Sequence, residues 1–496
     1  MEILLFLSSG LFLGWSLGAN DAANVFGTAV GTRMVKFRTA AIVCSVFIIL
    51  GATISGAGAA HTLGKLGSVN ALAGAFTVAL ASALTTFWMT RLKIPVSTSQ
   101  AIVGAIIGWN FYSASLTDAS SLTKIVITWV ACPLLSAGIA VGLFILVRLF
   151  LRLTKPHLLR LDLGTRLGLL VAGAFGSYSL GANNIANVMG VFVPDNPFQD
   201  FTALGVIQVT AVQQLFFLGA VAISVGVFTY SERVMKTVGG GLARISPVPA
   251  LVIVMAQSLT LFLFASESLE FWLASHGLPT FPLVPVSSSQ AVVGAIIGIS
   301  LFKGIGIRYR VMSEISLGWL ATPVLAGVIS FLMLFVMDNV FDQQVKADVR
   351  FRLDDAVVAE LETRGITDPG LADFVGQDLG SAVRVMRDMR RATDLSKDDI
   401  ADVLELAVTG AWELRLGEVL EDLRDMGLTA QQMDGLQAVD GIRFDHAWQF
   451  QQALATTSPH WQMRAESVTN KKWNKTLKNQ LSVLLRLSRM DHRSGH

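Results

Sequence analysis

The chain has 496 residues, of which 52% are hydrophobic and 15% are charged, and its mean hydropathy is +0.57. Soluble globular domains carry about 25% charged residues. This composition therefore excludes a wholly water-soluble chain and indicates a large membrane-embedded part. The formal net charge of +2 gives no sign of a nucleic-acid partner, and we expect none.

The charged residues are unevenly distributed along the chain. Residues 1–345 hold 18 Lys and Arg against 12 Asp and Glu, whereas residues 346–496 hold 20 against 24. We therefore predict a membrane domain followed by a small soluble domain over residues 346–496.

Ten apolar stretches of about membrane-spanning length precede the soluble part, in two sets of five. Asn-rich patterns in mid-stretch and proline turns between stretches predict broken helices and re-entrant hairpins. The stretches cover residues 2–32, 39–60, 70–90, 96–111 and 124–151, then 165–194, 203–229, 248–266, 285–302 and 312–337.

Two residue patterns occur twice in the apolar part. SLGANDAANVFG at residues 16–27 returns as SLGANNIANVMG at 179–190, and we call these the first and second Asn motifs. PVSTSQ at 95–100 returns as PVSSSQ at 285–290, and we call these the first and second tips. Self-similarity at this level indicates an internal duplication.

The odd number of segments in each half determines how the copies are oriented. A copy that follows an odd number of crossings lies upside down in the membrane, as in the inverted-repeat secondary transporters. We predict a first transmembrane repeat over 1–160, a second, inverted repeat over 161–340 and the soluble helical domain over 346–496. The fold class is then an all-α polytopic membrane protein of the inverted-repeat transporter type.

Lys and Arg residues concentrate in loops that fall on one side if the spans alternate as counted. By the positive-inside rule, this side faces the cytoplasm. We therefore predict a multi-pass protein in the lipid bilayer of the cytoplasmic (inner) membrane, with both termini outside and the soluble domain in the periplasm. The basic residues are Arg33, Lys36, Arg38, Arg148, Arg152, Lys155, Arg160, Arg166, Arg233, Lys236, Arg244, Lys303, Arg308 and Arg310.

The soluble domain is predicted to be helical. Ser396 with Asp399, and Thr429 with Gln432, fit the capping-box pattern at the start of a helix. This domain shows no metal-ligand spacing, glycine-rich phosphate loop or nucleophile constellation, and we expect no enzymatic activity.

Asp21 is the only acidic residue well inside an apolar stretch. A carboxylate at membrane depth costs at least about 2.5–3.5 kcal/mol, which indicates a functional role. Gly18 permits an unwound backbone, whose freed carbonyls would join Asp21 as oxygen ligands of a cation such as Na⁺. Asn20 and Asn24 flank the carboxylate. The alternative is a polar kink that joins two helices through amide hydrogen bonds.

The two tips combine a proline with a run of hydroxyl residues. Pro95 and Pro285 can begin a helix but cannot continue one. The hydroxyl residues after them would lie in the first helical turn, where unpaired N–H groups and hydroxyls suit an oxyanion. The alternative is that these hydroxyl residues only cap their own helices and bind no anion. The candidate anion ligands are Ser97, Thr98, Ser99, Gln100, Ser287, Ser288, Ser289 and Gln290.

With four motif copies in this order, residues 1–340 resemble the inorganic phosphate transporter family. The resemblance implies a symporter for inorganic phosphate that is coupled to Na⁺ or H⁺, carries no further cofactor and is often a homodimer. It also implies which motif residues bind the ions. The substrate candidates are Asn20, Asn24, Asn183 and Asn187 with the tip residues, and the Na⁺ candidates are Asp21, Asn24, Asn184 and Asn187.

Two features depart from the family pattern. Asn184 stands where the family usually has Asp, which predicts a weaker or missing cation site. Gln100 and Gln290 stand where many members are expected to have His, and Gln cannot titrate. Relatives of the family transport sulfate, so a sulfate permease is the alternative. An anion-binding membrane sensor that acts through residues 346–496, and a passive channel, are alternatives of other classes.

Overall fold

The structure is a computed structural model that forms two compact units. The first comprises Met1–Ser113, Thr117–Phe198 and Thr210–Lys346, and the second comprises Ala114–Leu116, Gln199–Val209 and Ala347–His496. Pro95 lies outside the described residues. Those residues are 2–67, 69–92, 96–203, 207–238, 245–304, 306–347, 349–424, 426–465 and 467–490.

The first unit consists of helices, and each of the ten predicted apolar stretches corresponds to one or two of them. The first half contains α1 (Glu2–Gly31), α2 (Phe37–Ser55), α3 (Ala57–Leu66), α4 (Leu72–Arg91), α5 (Thr98–Ser113) and α6 (Ala119–Thr154). The second half contains α7 (Leu158–Met189), α8 (Ala211–Thr229), α9 (Ser231–Val238), α10 (Pro247–Leu263), α11 (Glu267–Ser275), α12 (Ser288–Lys303) and α13 (Tyr309–Asn339). A 3-10 turn, Gly190–Phe192, follows α7.

Six of the described helices are long and apolar enough to cross a membrane, and the number rises to seven if a bent pair counts as one span. The bent pair is α10 with α11, which meet at 72°. The shorter apolar helix α12 begins at the second tip. This architecture confirms the predicted class, an all-α polytopic membrane protein, and its bent pair is a broken span or a re-entrant segment.

The prediction that the Asn motifs unwind their helices is wrong. Both α1 and α7 run through their motifs without interruption. Gly18 serves close packing instead, because a Cβ there would overlap the carbonyl oxygen of Ile223 on α8, and Gly181 approaches Ile48 on α2 in the same way. The motifs therefore present side-chain groups to the site rather than freed carbonyls.

The two repeats interlock through equivalent helix contacts. A Cβ on Gly104 of α5 would overlap the carbonyl oxygen of Pro323 within α13. A Cβ on Gly294 of α12 would overlap the carbonyl oxygen of Pro133 within α6. Since close backbone approach replaces hydrophobic driving force in lipid, these contacts position the two tip helices.

Gly104→Ala is expected to reduce sharply the yield of folded protein, because the added methyl group must displace a backbone carbonyl that helix α13 holds in place. Overpacking of this kind typically costs about 1–3 kcal/mol. Gly138→Ala on α6 is the matched control, since a Cβ there meets nothing within 4 Å. Size-exclusion profiles of detergent extracts measure the effect, and equal folded yields for the two variants would contradict it.

The second unit is built mainly of short helices. They are α14 (Asp355–Thr363), α15 (Ala382–Ala392), α16 (Lys397–Ala407), α17 (Leu416–Arg424), α18 (Ala430–Ala438), α19 (Ala447–Thr457) and α20 (Val468–Ser488), with 3-10 turns at Pro369–Phe374 and Pro459–Trp461. The strands pair antiparallel as β1 (Phe201–Ala203) with β2 (Ile207–Val209), β3 (Arg350–Phe351) with β4 (Val408–Thr409), and β5 (Trp412–Glu413) with β6 (Arg443–Phe444).

Both predicted capping boxes are confirmed, at the starts of α16 and α18. The unit has two apolar clusters, one drawn from residues 351–407 and one from residues 414–484. The fully buried His446 joins the two stretches of chain, with Nε2 2.9 Å from Asp354 Oδ2 and Nδ1 2.9 Å from the Val408 carbonyl oxygen. Burial raises the pKa of the Asp354 carboxyl, but hydrogen bonds from His446 and the Val357 amide outweigh it and hold the pKa below its usual value.

Candidate functional site

The first hydroxyl residue of each tip caps its own helix. The backbone N–H of Gln100 donates to Ser97 Oγ at 3.3 Å, and that of Gln290 donates to Ser287 Oγ at 3.3 Å. The structure thus shows that Ser97 and Ser287 cap their own helices, which was the alternative to anion binding. Their anion-binding role stays a prediction, and the residues after them begin α5 and α12.

The two tips contact each other, as the inverted repeat predicts. Ser99 Oγ donates to the carbonyl oxygen of Val286 at 3.1 Å. Ser289 Oγ, at the equivalent position, donates to the carbonyl oxygen of Val96 at 3.3 Å. The N-termini of α5 and α12 therefore lie together in the buried interior, where the partial positive charges of both helix ends favour an anion.

The first Asn motif binds the second tip. Asn24 Nδ2 donates to Ser288 Oγ at 3.0 Å, and the Ser288 hydroxyl forms a hydrogen bond with the Asp21 carboxylate. Asn20 Nδ2 also donates to Asp21 Oδ1, at 3.0 Å. Only 2% of the Asp21 surface is exposed. The one carboxylate of the site is therefore joined directly to a tip residue.

The second Asn motif binds the first tip through a different residue. Asn187 Nδ2 donates to Ser99 Oγ at 2.8 Å and to Asn184 Oδ1 at 2.9 Å. Ser99 Oγ lies 3.4 Å from Asn184 Oδ1. The first motif contacts the hydroxyl residue that begins its tip helix, whereas the second contacts the residue after it. The site is thus asymmetric in geometry as well as in charge.

Asn183 has a different environment from the other motif amides. Its Nδ2 donates to the Val284 carbonyl oxygen at 3.1 Å, and its Oδ1 accepts from the Val286 N–H at 2.9 Å. The side chain thereby holds the extended segment that leads into α12. Its predicted role as an anion ligand stays a prediction, while its contacts are those of a positioning residue.

Several buried polar atoms at the site have no hydrogen-bond partner within the described residues. Two can donate, and they are Thr98 Oγ1 and Asn184 Nδ2. Four can only accept, and they are Gln100 Oε1, Gln290 Oε1, Asn187 Oδ1 and Gln257 Oε1. Because unpaired buried polar groups destabilise a fold, their accumulation here leaves both donors and acceptors available to polar ligands.

The ligand set limits which cation the site suits. Across the described ranges, no group of three or more His, Cys, Asp or Glu residues could hold a metal ion. The available ligands are one carboxylate, on Asp21, and neutral amide and hydroxyl oxygens. Hard oxygen donors of low total charge suit an alkali cation rather than a transition metal.

Gln257 on α10 is a site residue that the sequence patterns did not reveal. Its Nε2 donates to the backbone carbonyl oxygen of Asn24 at 2.7 Å, and its side chain is fully buried. The sequence feature that could have identified Gln257 is the presence of an amide residue in the middle of an apolar helix, outside the repeated motifs.

Comparisons with known proteins agree on the kind of protein. The model of the phosphate transporter family matches residues 17–271 and 273–454, beyond the 1–340 that the motifs indicated. The chain is 28% identical over 335 residues to a Methanocaldococcus jannaschii protein whose provisional name is phosphate permease, covering 67% of this chain and 97% of that protein. It is 30% identical over 341 residues to the sulfate permease CysP of Bacillus subtilis, covering 67% of this chain and 87% of CysP.

One solved structure, described as the sodium-dependent phosphate transporter, is similar in fold. The TM-score is 0.53 at 22% sequence identity, and the match covers 68% of this chain and 99% of that chain.

Proposed function

Because the chain belongs to the phosphate transporter family, we propose that it is a secondary active symporter that imports inorganic phosphate across the cytoplasmic membrane with Na⁺ or H⁺. One observation above all supports coupling. The buried Asp21 carboxylate shares a hydrogen bond with Ser288 at the N-terminus of a tip helix. A cation at Asp21 would thus lie next to an anion held by the tips.

The membrane potential explains why such a site needs a cation. Moving one charge against 100 mV costs about 2.3 kcal/mol, so a divalent anion entering an inside-negative cell loses about 4.6 kcal/mol. No Lys or Arg is among the residues that form the site. Co-bound cations would neutralise the anion in transit, and two or more would remove the electrical cost.

In this proposal the repeats are residues 1–160 and 161–340, the transporter is a homodimer, and residues 346–496 face the periplasm. Leu420 is 48% exposed and offers a probe of that orientation. With Leu420→Cys, we expect a membrane-impermeant maleimide to label intact spheroplasts. Labelling only after lysis would place the domain in the cytoplasm.

Uptake into proteoliposomes tests the function. Labelled phosphate and labelled sulfate are supplied in turn, with an inward Na⁺ gradient or an inward H⁺ gradient imposed separately. We expect phosphate to accumulate above its external concentration under the Na⁺ gradient. If neither anion accumulates under either gradient, the symporter proposal fails, and anion binding without flux would favour a membrane sensor.

Sulfate is the second candidate substrate, favoured by the similarity to CysP and by the tip residues. Gln100 and Gln290 are buried amides that do not titrate. Sulfate stays fully ionised near neutrality and needs no titrating partner. Accumulation of sulfate but not phosphate in the same assay would show that the protein is a sulfate permease.

A further inference from the structure

Gln257 combines full burial with an unsatisfied oxygen. It lies on α10 among buried apolar residues such as Ile253 and Leu261. Its Nε2 is engaged by the Asn24 carbonyl oxygen at 2.7 Å. Its Oε1 is also buried and has no hydrogen-bond partner in the described part of the chain. A buried acceptor of this kind is destabilising unless a ligand satisfies it.

The hydrogen bond to Asn24 fixes where that oxygen lies. An amide is planar, so anchoring Nε2 on the Asn24 carbonyl oxygen holds Oε1 beside α1, next to the first Asn motif. The Asn24 side chain in turn donates to Ser288, which bonds the Asp21 carboxylate. Gln257 Oε1 is thus an oxygen with no proton to donate, on a side chain that is linked through Asn24 to the residues around the Asp21 carboxylate, and such an oxygen attracts a cation.

The first repeat has no amide at the position equivalent to Gln257. The stretches Ala81–Thr85 of α4 and Ala256–Thr260 of α10 align as ASALT and AQSLT, which places Ser82 opposite Gln257. Ser82 Oγ donates to the Val78 carbonyl oxygen of its own helix at 3.0 Å. In the second Asn motif, Asn184 stands where the first Asn motif has Asp21. The formal charge of Asp21 therefore lies in the first Asn motif, and Gln257 contacts that same motif through the Asn24 carbonyl oxygen.

We propose that Gln257 Oε1 is a ligand of the co-transported cation, acting with the Asp21 carboxylate. This proposal rests on the proposed function, since it identifies a further ligand of the same site. Gln257 would increase cation affinity at the first Asn motif and contribute to the difference between the two halves.

The test measures Na⁺ binding to the purified full-length protein without transport. Its unfolding temperature is followed as NaCl replaces choline chloride at constant ionic strength, with phosphate and sulfate absent. In Gln257→Met, which keeps the side-chain length but loses the oxygen, we expect the half-saturating Na⁺ concentration to rise at least tenfold. Ser82→Ala, at the equivalent position of the other half, should leave it unchanged.

The Gln257→Glu variant distinguishes a role of Gln257 as a cation ligand from a role as a structural hydrogen-bond donor. Glutamate keeps an oxygen at the same reach but cannot donate to the Asn24 carbonyl oxygen when ionised. If the oxygen is a ligand, the Na⁺ response is retained or strengthened in the Glu variant and lost only in the Met variant.

Three results would overturn the proposal. The first is an unchanged half-saturating Na⁺ concentration in Gln257→Met. The second is an equal loss of the Na⁺ response in the Met and Glu variants, and the third is the absence of any Na⁺ response in the unmodified protein. Failure of the proposed function would appear instead as absence of coupled uptake in proteoliposomes, which this binding measurement does not require.

Discussion

Asp21→Asn is expected to abolish cation-coupled anion uptake while leaving the protein folded. Asparagine keeps the shape of the side chain and an oxygen that can accept from Asn20 and Ser288, so the network around it survives. What disappears is the only formal negative charge of the site. A unit charge 4 Å from a cation contributes about 4 kcal/mol at an effective dielectric constant of 20. Losing even half of this interaction energy corresponds to about thirtyfold weaker cation binding.

Initial rates of labelled phosphate uptake, measured against external Na⁺ concentration, test this expectation. Asp162→Asn is the matched control, because Asp162 is half-exposed and forms an ion pair with Arg166 on the surface of α7. The control should transport normally, and size-exclusion profiles should be equal for both variants. Na⁺-dependent uptake by Asp21→Asn with an unchanged half-saturating concentration would refute the role of this carboxylate.

The repeated motifs predicted the pairing of the tips because a duplication imposes a relation between distant segments. Once PVSTSQ and PVSSSQ are equivalent, the contact of Ser99 with Val286 implies that of Ser289 with Val96. Neither contact requires any knowledge of the intervening helices. The capping boxes of the second unit were predictable for the opposite reason, since all their partners lie within four residues.

The sequence did not reveal why each Asn motif has a glycine before its first asparagine. A glycine in a membrane helix is compatible with unwinding and with close packing alike. Only the position of α8 shows that Gly18 faces a neighbouring carbonyl. Gln257 was missed on similar grounds, because its hydrogen bond spans 233 positions and its repeat equivalent, Ser82, is an ordinary helix serine.

The asymmetry between the Asn motifs leads to the second large effect, which is expected for Asn184→Asp. Asn184 accepts both of its hydrogen bonds, from Asn187 and Ser99, through Oδ1, while its Nδ2 has no partner within the described residues. A carboxylate at this position would therefore lose no hydrogen bond and would replace an unpaired donor with a cation ligand. We expect the number of Na⁺ ions carried per anion to rise by one.

One additional Na⁺ changes the thermodynamic limit of accumulation. At 100 mV and a tenfold Na⁺ gradient it adds about 2.3 kcal/mol from the potential and about 1.4 kcal/mol from the gradient. The limiting anion ratio should rise a few hundredfold. Reversal potentials of anion flux in proteoliposomes with a clamped K⁺ diffusion potential measure the stoichiometry, and an unchanged reversal potential would argue against a second cation site.

The double variant Asp21→Asn with Asn184→Asp separates the position of the carboxylate from its presence. It keeps one carboxylate but transfers it from the first Asn motif to the second, beside Ser99 instead of Ser288. If the two motifs are equivalent apart from that charge, coupling returns with the stoichiometry of the unmodified protein. If coupling also needs the oxygen of Gln257, whose amide bonds the backbone of the first motif, Na⁺ should be bound but more weakly. The half-saturating Na⁺ concentration of the double variant therefore reports how far the first half has become specialised for the cation.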